Sequence, residues 1–180
     1  MLDAASYSAA GSLRDGTPLE IRALKPDDRA DLLAALDRTS TQSLFRRFFS
    51  VRRSFTESEI DRFINVDFVD HVALVAVVQE SHRPVIVGGG RTILVRPGEA
   101  EMAFAVIDPY QGHGIGSALI EHLIAIARSA GLRKLTADVL PENAAMLKLF
   151  KRNGFRLQRT PGAEVKVELE LDGANPAAPQ

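Results

Sequence analysis

The sequence predicts an α/β fold in one domain, a mixed β-sheet with helices layered against it. Three observations carry that expectation. Apolar, β-branched runs of strand length, above all residues 72–78, alternate with longer segments whose apolar residues recur at helical spacing. Glycine and proline clusters fall between these runs and mark where the chain must turn. A length of 180 residues with 46% hydrophobic residues is enough for one sizeable core and short for two.

Residues 1–17, with Gly11 and Gly16 close to Pro18, read as a flexible lead-in to a domain spanning 18–172. Residues 19–24 form the first expected strand. Pro26-Asp27-Asp28 then opens a helix: proline presets φ, and the acids face the positive end of the helix dipole. Leu32, Leu33 and Leu36 give it an apolar face. Residues 40–49 read as a second helix, with Leu44, Phe45, Phe48 and Phe49 packed inward around Arg46 and Arg47. The arginines suit an outer face, the rim of an acceptor groove, or a phosphate. Thr56 and Glu59 form a capping box for a third helix carrying Ile60, Phe63 and Ile64.

Residues 72–78 are too apolar and β-branched for a solvent-facing helix and read as a central strand. Residues 85–95 repeat the signal across Gly88-Gly89-Gly90, predicting a hairpin partner with a bulged or flexible middle. Pro97-Gly98 turns the chain into a strand over 101–107, ended by Asp108-Pro109. After the glycines at 112–116, Ile115, Leu119, Ile120, Leu123, Ile124 and Ala127 line one wide helical face, which should lie on the sheet. Gly131 closes that helix, and 135–140 is the next strand. Pro141-Glu142-Asn143 opens another helix through Leu149 and Phe150, Asn153-Gly154 ends it, and 165–171 is a last strand. Residues 173–180 read as a disordered tail.

Lys+Arg 22 against Asp+Glu 23 leaves a formal net charge of -1, so no overall field recruits nucleic acid or an anionic membrane. With no cysteine, disulfides, thiolate metal ligands and a cysteine nucleophile are excluded, and no metal site is expected. No apolar run approaches membrane-spanning length and no apolar leader is visible, which predicts a cytoplasmic protein.

The strongest motif is Tyr110-Gln111-Gly112-His113-Gly114-Ile115-Gly116, set between a strand and a long helix. Glycines spaced by single residues leave backbone N–H groups uncovered where a helix begins, a cradle for phosphate. It is not GxxxxGK[ST], since no Lys-Ser or Lys-Thr follows, nor the GxGxxG of a first βα unit. Alone it also describes a tight turn with close packing.

With its neighbours the motif resembles the GCN5-related N-acetyltransferase (GNAT) superfamily, whose signature is [Gln/Arg]-x-x-Gly-x-[Gly/Ala]. The flanking blocks Met102-Ala103-Phe104-Ala105-Val106-Ile107 and Asn143-Ala144-Ala145-Met146-Leu147-Lys148-Leu149-Phe150 match too, and the resemblance covers about residues 19–171. It implies a central, mostly antiparallel sheet flanked by helices, splayed between two parallel strands where acetyl-CoA binds. The pyrophosphate would lie on N–H groups of Gln111, Gly112, His113, Gly114, Ile115 and Gly116. Val106 and Ile107 would present backbone groups to the thioester and pantetheine, Asn143 would bind near the pantetheine, and Phe150 would line the thiol end of the channel. His113 itself is safest as a surface side chain.

Ala100-Glu101-Met102-Ala103-Phe104 is similar to the context of a glutamate in the catalytic domain of bacterial protein-lysine acetyltransferases. That resemblance implies Glu101 as general base, directly or through water, against the plain reading of a solvated strand carboxylate. Family members commonly carry a tyrosine where this chain has Phe150, which cannot donate a proton to a leaving thiolate. The implied reaction is acetyl transfer from acetyl-CoA to a primary amine of a protein lysine or a small molecule. A noncatalytic acyl-CoA-binding module is the alternative, and a homodimer through an exposed edge strand is left open.

Overall fold

The structure is a computed structural model, described over residues 2–48, 54–159 and 162–171. The expected tail at 173–180 and Phe49 lie outside the described residues. One eight-stranded sheet runs in the order β1-β2-β3-β4-β5-β6-β8-β7. Its strands are β1 Ser8–Ser12, β2 Pro18–Ala23, β3 His71–Glu80, β4 Arg83–Arg96, β5 Glu99–Val106, β6 Lys134–Val139, β7 Arg156–Arg159 and β8 Val165–Glu170. The helices are α1 Arg29–Asp37, α2 Thr41–Phe48, α3 Glu57–Ile64, α4 Ile115–Ser129 and α5 Ala144–Arg152.

All neighbouring strands pair antiparallel except β5 and β6. That parallel pair holds for only three residue pairs, Glu99↔Lys134, Ala100↔Leu135 and Glu101↔Thr136. Beyond Glu101 the two strands part: β5 continues to Val106 on β4, and β6 continues to Val139 on β8. The expected mixed, splayed sheet is thus present, and the fork opens at Glu101.

The expectation of a flexible lead-in fails at β1, which pairs with β2 from Ser8↔Arg22 to Ser12↔Pro18. Its small, polar residues carry no apolar alternation, so the strand is specified by its partner and by a turn in which Leu13 N–H donates to Thr17 O at 2.8 Å. Tyr7 fastens the same segment to α4 through its hydroxyl, 2.5 Å from His122 Nδ1.

β3 is buried from Val72 to Val78, as an unbroken apolar run should be in a central strand. The predicted bulge appears as a register shift, where Ala76↔Gly88 is followed by Val77↔Ile86. On one face of the sheet, α4 buries Ile115, Leu119, Ile120, Leu123, Ile124 and Ala127, each large side chain contributing about 1.5–3 kcal/mol. Gly90 lets this helix approach: a Cβ there would stand 2.9 Å from Leu123 Cδ1. The opposite face carries α1, α2 and α3 over Gly89, Arg91, Ala103 and Ala105. The capping box starts α3 as predicted, Glu59 N–H donating to Thr56 Oγ1 at 3.3 Å and Thr56 N–H to Glu59 Oε2 at 2.9 Å. α1 is entered through a 3₁₀ turn at Pro26–Asp28, whose buried Asp28 takes both guanidinium arms of Arg22 at 2.7 and 2.8 Å and the Lys25 N–H at 2.7 Å.

Candidate functional site

The fork between β5 and β6 opens into a cleft of about 420 Å³, bounded by the end of β5, the glycine turn, the start of α4, α5 and α2. Its first wall is backbone. Ile107 N–H is spent on Val87 O at 3.0 Å, so by strand alternation Ala105 and Ala103 also turn their amides toward β4. Phe104 and Val106 therefore direct theirs the other way, into the fork, where no strand meets them. This corrects the expectation for Ile107: it is buried, its amide is taken, and it does not line the cleft.

The second wall is the glycine turn. Gly112 and Gly114 have φ of 81° and 98°, left-handed values that non-glycine side chains rarely adopt, and Gly114 is the N-cap of α4 without a side-chain cap. Among the described residues, none of the N–H groups from Gly112 to Ser117 is given to a protein acceptor. Gln111 is the exception to the expected cradle, because its N–H closes a turn on Asp108 O at 3.2 Å. Its side chain instead bridges Val106 O at 3.0 Å and Ser43 Oγ at 3.1 Å, joining β5 to α2. Gly116 serves close packing: a Cβ there would stand 2.9 Å from Leu149 Cδ2 of α5. His113 does not line the cleft, and its ring lies 6.2 Å from that of Tyr110.

Further contacts lock the turn. Tyr110 donates to Glu80 Oε1 at 2.8 Å, and Arg38 grips the same carboxylate at 2.9 and 3.1 Å. The Arg38 bond and then the Tyr110 bond hold Glu80 below the usual carboxylate range. Burial opposes ionisation of Asp108, but bonds from the Ser40 N–H and the Ser40 and Ser43 hydroxyls outweigh it and hold Asp108 low as well.

The third wall is charge. Arg14, Arg46, Arg47, Lys148 and Arg152 line the cleft and, among the described residues, no carboxylate does, although the chain as a whole carries a net charge of -1. Open helix-start amides, glycines that keep them uncovered and a carboxylate-free cationic lining together fit a ligand bearing several phosphates. Sequence reading missed Arg14, Lys148 and Arg152. Lys148 and Arg152 are four apart on α5, a spacing that puts them on one helical face. Arg14 gave no local signal: it reaches Gly112 O at 3.2 Å across 98 residues of chain.

Asn143 is buried and lines the cleft as N-cap of α5, its Oδ1 accepting from Met146 N–H at 3.3 Å. Phe150 departs from expectation. It is 2% exposed, packed 5.4 Å from Phe104 and 4.8 Å from Phe155, and lies behind the cleft wall, because the inner face of α5 turns it into the core. Phe104 reaches the cleft in its place.

Glu101 is exposed at the base of the fork and lines neither the cleft nor the smaller pocket beside it. Strand alternation puts it on the same face of β5 as Ala103 and Ala105. Its negative charge is felt by Arg47, whose guanidinium burial pushes downward and Glu101 supports. Arg47 is half-buried in the floor between two hollows and so does not take the outer position considered for it.

Among the described residues, no helix is long and apolar enough to cross a membrane. The model of the Acetyltransferase (GNAT) family matches residues 38–155. "Acetyltransferase Pat" of Mycolicibacterium smegmatis is 36% identical over 163 residues, a match covering 88% of this chain and 47% of that protein. "Acetyltransferase PA5475" of Pseudomonas aeruginosa is 31% identical over 157 residues, covering 87% of this chain and 84% of that one. The chain thus spans about half of the first relative and most of the second. The solved GNAT domain of S. lividans PAT superposes with a TM-score of 0.84 at 33% identity, covering 91% of this chain and 97% of that domain.

Proposed function

The chain belongs to the GNAT acetyltransferase family, and on that premise we propose that it transfers an acetyl group from acetyl-CoA to a primary amine in the cytoplasm, with a protein lysine the first acceptor to test. The observation that carries this reading is the cleft itself: an unpaired strand edge at Phe104 and Val106 runs into the open amides of Gly112 to Ser117 under a lining of cations.

When bound, acetyl-CoA supplies an acetyl thioester, an acyl group already activated for attack by nitrogen. The amides from Gly112 to Ser117 hold its pyrophosphate, helped by the dipole of α4, and Arg14, Lys148 and Arg152 neutralise the remaining phosphate charge. Asn143 and the Phe104 and Val106 backbone hold the pantetheine arm against the fork. The Phe104 and Val106 N–H groups face the place where negative charge develops on the acetyl oxygen. The amine must first lose a proton, since a lysine ammonium titrates near pH ~10.4. Glu101 receives that proton through water, because its carboxylate shares the face of Ala103 and Ala105 without lining either hollow. Phe150 has no proton to give, so water meets the departing thiolate.

Purified protein incubated with labelled acetyl-CoA, followed by separation of protein and small-molecule pools, tests the reading. Label on protein lysine is the expected result, and label confined to small molecules would move the acceptor class. Binding of acetyl-CoA with no transfer to either pool would leave a noncatalytic cofactor-binding module. Pairing of two copies through the β1 or β7 edge would show as a dimer in sedimentation.

A further inference from the structure

A second hollow of about 80 Å³ lies on the opposite side of β5 from α4, under α1, α2 and α3. It meets the cofactor cleft at Arg47 and Ala105, the two residues that line both. An acceptor seated here would therefore reach the thioester end of the cleft past Ala105. Most of its wall is apolar: Leu32, Leu36, Phe63 and Ile107 among others. Two guanidinium groups, Arg47 and Arg91, interrupt it.

Neither arginine has a carboxylate within 4 Å among the described residues, whereas Arg22, Arg29, Arg38 and Arg156 all do. The Arg91 guanidinium meets one polar partner among the described residues, His71 Nε2 at 3.2 Å. Burial, and then the Arg91 charge, push His71 below its usual range, which leaves a neutral ring to accept that bond. Each guanidinium lies over an aromatic ring: Arg91 Cζ is 4.8 Å from the Phe63 centroid and Arg47 Cζ 4.7 Å from that of Phe48. Stacking satisfies a guanidinium's face and leaves its in-plane N–H donors to meet something else. The two positive charges also act on each other, and burial with the Arg47 charge brings Arg91 down to about 10. Two like charges, both half-buried in one small hollow, cost stability, and an anion arriving between them relieves that cost.

We propose that the hollow is the acceptor pocket and that Arg47 and Arg91 select an amine acceptor carrying a carboxylate, gripped by their free N–H donors. This rests on the reading of the chain as an amine acetyltransferase. A volume of about 80 Å³ admits a carboxylate and the few atoms that bear it. The carboxylate can come from a free amino acid or from an acidic side chain beside a lysine in a peptide. In both cases the anion is held on the Arg91 side while the amine lies toward Ala105 and the thioester. Arg47, within the field of Glu101, couples the acceptor's anion to the group that takes its proton.

Two measurements on the CoA-saturated protein test this. In the first, N-acetylglycine and Nα-acetyl-lysine are titrated by calorimetry against their carboxamides, which needs no turnover. The acids should bind about tenfold or more tightly than the amides, as one charge-assisted contact warrants, with the difference erased in Arg91→Gln and partly kept in Arg91→Lys. Equal binding of acids and amides to the parent protein overturns the proposal. In the second, kcat/KM is compared for free amino acids against their amides, and for lysine peptides flanked by Glu against Gln. A preference in the first set assigns a free amino acid, and one in the second an acidic peptide. Acetylation of amines with no acid preference in either set removes this proposal and leaves the enzyme reading intact. Selective binding of acids with no acetylation of any amine removes the enzyme reading and leaves the anion pocket.

Discussion

The two hollows that meet at Arg47 and Ala105 are built from opposite materials. The cofactor cleft is mostly backbone: amides left open by Gly112 and Gly114, and the edge of β5 from Phe104 to Val106 where β6 departs. Its central parts lie within a dozen residues of one another in the chain. The hollow proposed for the acceptor is mostly side chains, drawn from α1, α2, α3, β4 and β5 between Leu32 and Ile107. A site made of backbone keeps its ligand when side chains change, because amides recognise phosphate whatever the neighbouring side chains are. One made of side chains can change its ligand by substitution. The difference separates what fixes the cofactor from what fixes the acceptor, and each side can be perturbed without the other.

The largest separation should come from Glu101. Glu101→Gln keeps the size of the side chain and removes the base, so kcat should fall by about 10²–10⁴-fold while the acetyl-CoA dissociation constant, read by calorimetry, stays near the parent value. A mutant that matches the parent in turnover across the pH range would strip Glu101 of its role and return it to the solvated carboxylate that is the plain reading of the sequence.

The next effect concerns stability on the acceptor side. α1 supplies Leu32, Ala35 and Leu36 to the pocket, and its entry is pinned by Arg22 and Asp28, whose side chains are 15% and 8% exposed. Burial opposes ionisation of Asp28, yet the Arg22 and Lys25 bonds outweigh it and hold its carboxyl below the usual range. A depressed folded-state value means the stabilisation is complete above the unfolded pKa, near ~3.9, and is lost as pH falls through the folded value. Asp28→Asn should cost about 2–4 kcal/mol at neutral pH. The gap between mutant and parent melting temperatures should close below about pH 4. A gap that persists unchanged in acid would mean that packing, not charge, holds this entry.

The same division explains what could be read from the chain. The apolar period of α4, the unbroken strand β3, the capping box at Thr56 and Glu59 and the glycine turn are all local patterns. Each is present where periodicity or turn chemistry put it. β1 was missed because its partner, not its own composition, makes it a strand. Ile107 and Phe150 sit within a residue or so of cleft-lining positions, and sequence could not say which neighbour faces in. Strand alternation gives the amide role to Val106 and Phe104, and helix α5 turns Phe150 inward. Arg91 gave no sign, since its significance lies in facing Arg47 across two elements.

A smaller and purely cofactor-side effect is expected at Gly114. With φ at 98°, alanine there is strained by about 1–2 kcal/mol, while the nearest side-chain atom to an added Cβ, Arg14 Cγ at 3.7 Å, raises no clash. Gly114→Ala should weaken acetyl-CoA binding by about tenfold, as the turn relaxes and its amides re-aim. The KM for the amine should be unmoved. A matching rise in both constants would mean that the two hollows are mechanically one.

The smallest effect falls on Arg14, and it separates charge from scaffold within the cleft. Arg14 is exposed; its own N–H donates to His113 O at 3.2 Å, and its guanidinium donates to Gly112 O at 3.2 Å. Arg14→Gln keeps the backbone bond and removes the charge, so the glycine turn should hold its shape while losing one cation beside the phosphates. Acetyl-CoA affinity should drop only severalfold in low salt, and the difference should shrink as ionic strength rises, since an exposed charge is screened over ~10 Å at 0.1 M. His113→Ala, whose side chain lies off the cleft lining, should leave affinity unchanged at every salt concentration. Loss that persists in high salt for Arg14→Gln would instead assign the residue to holding the turn, through Gly112 O, and would make the β1–β2 hairpin part of the cofactor site's framework.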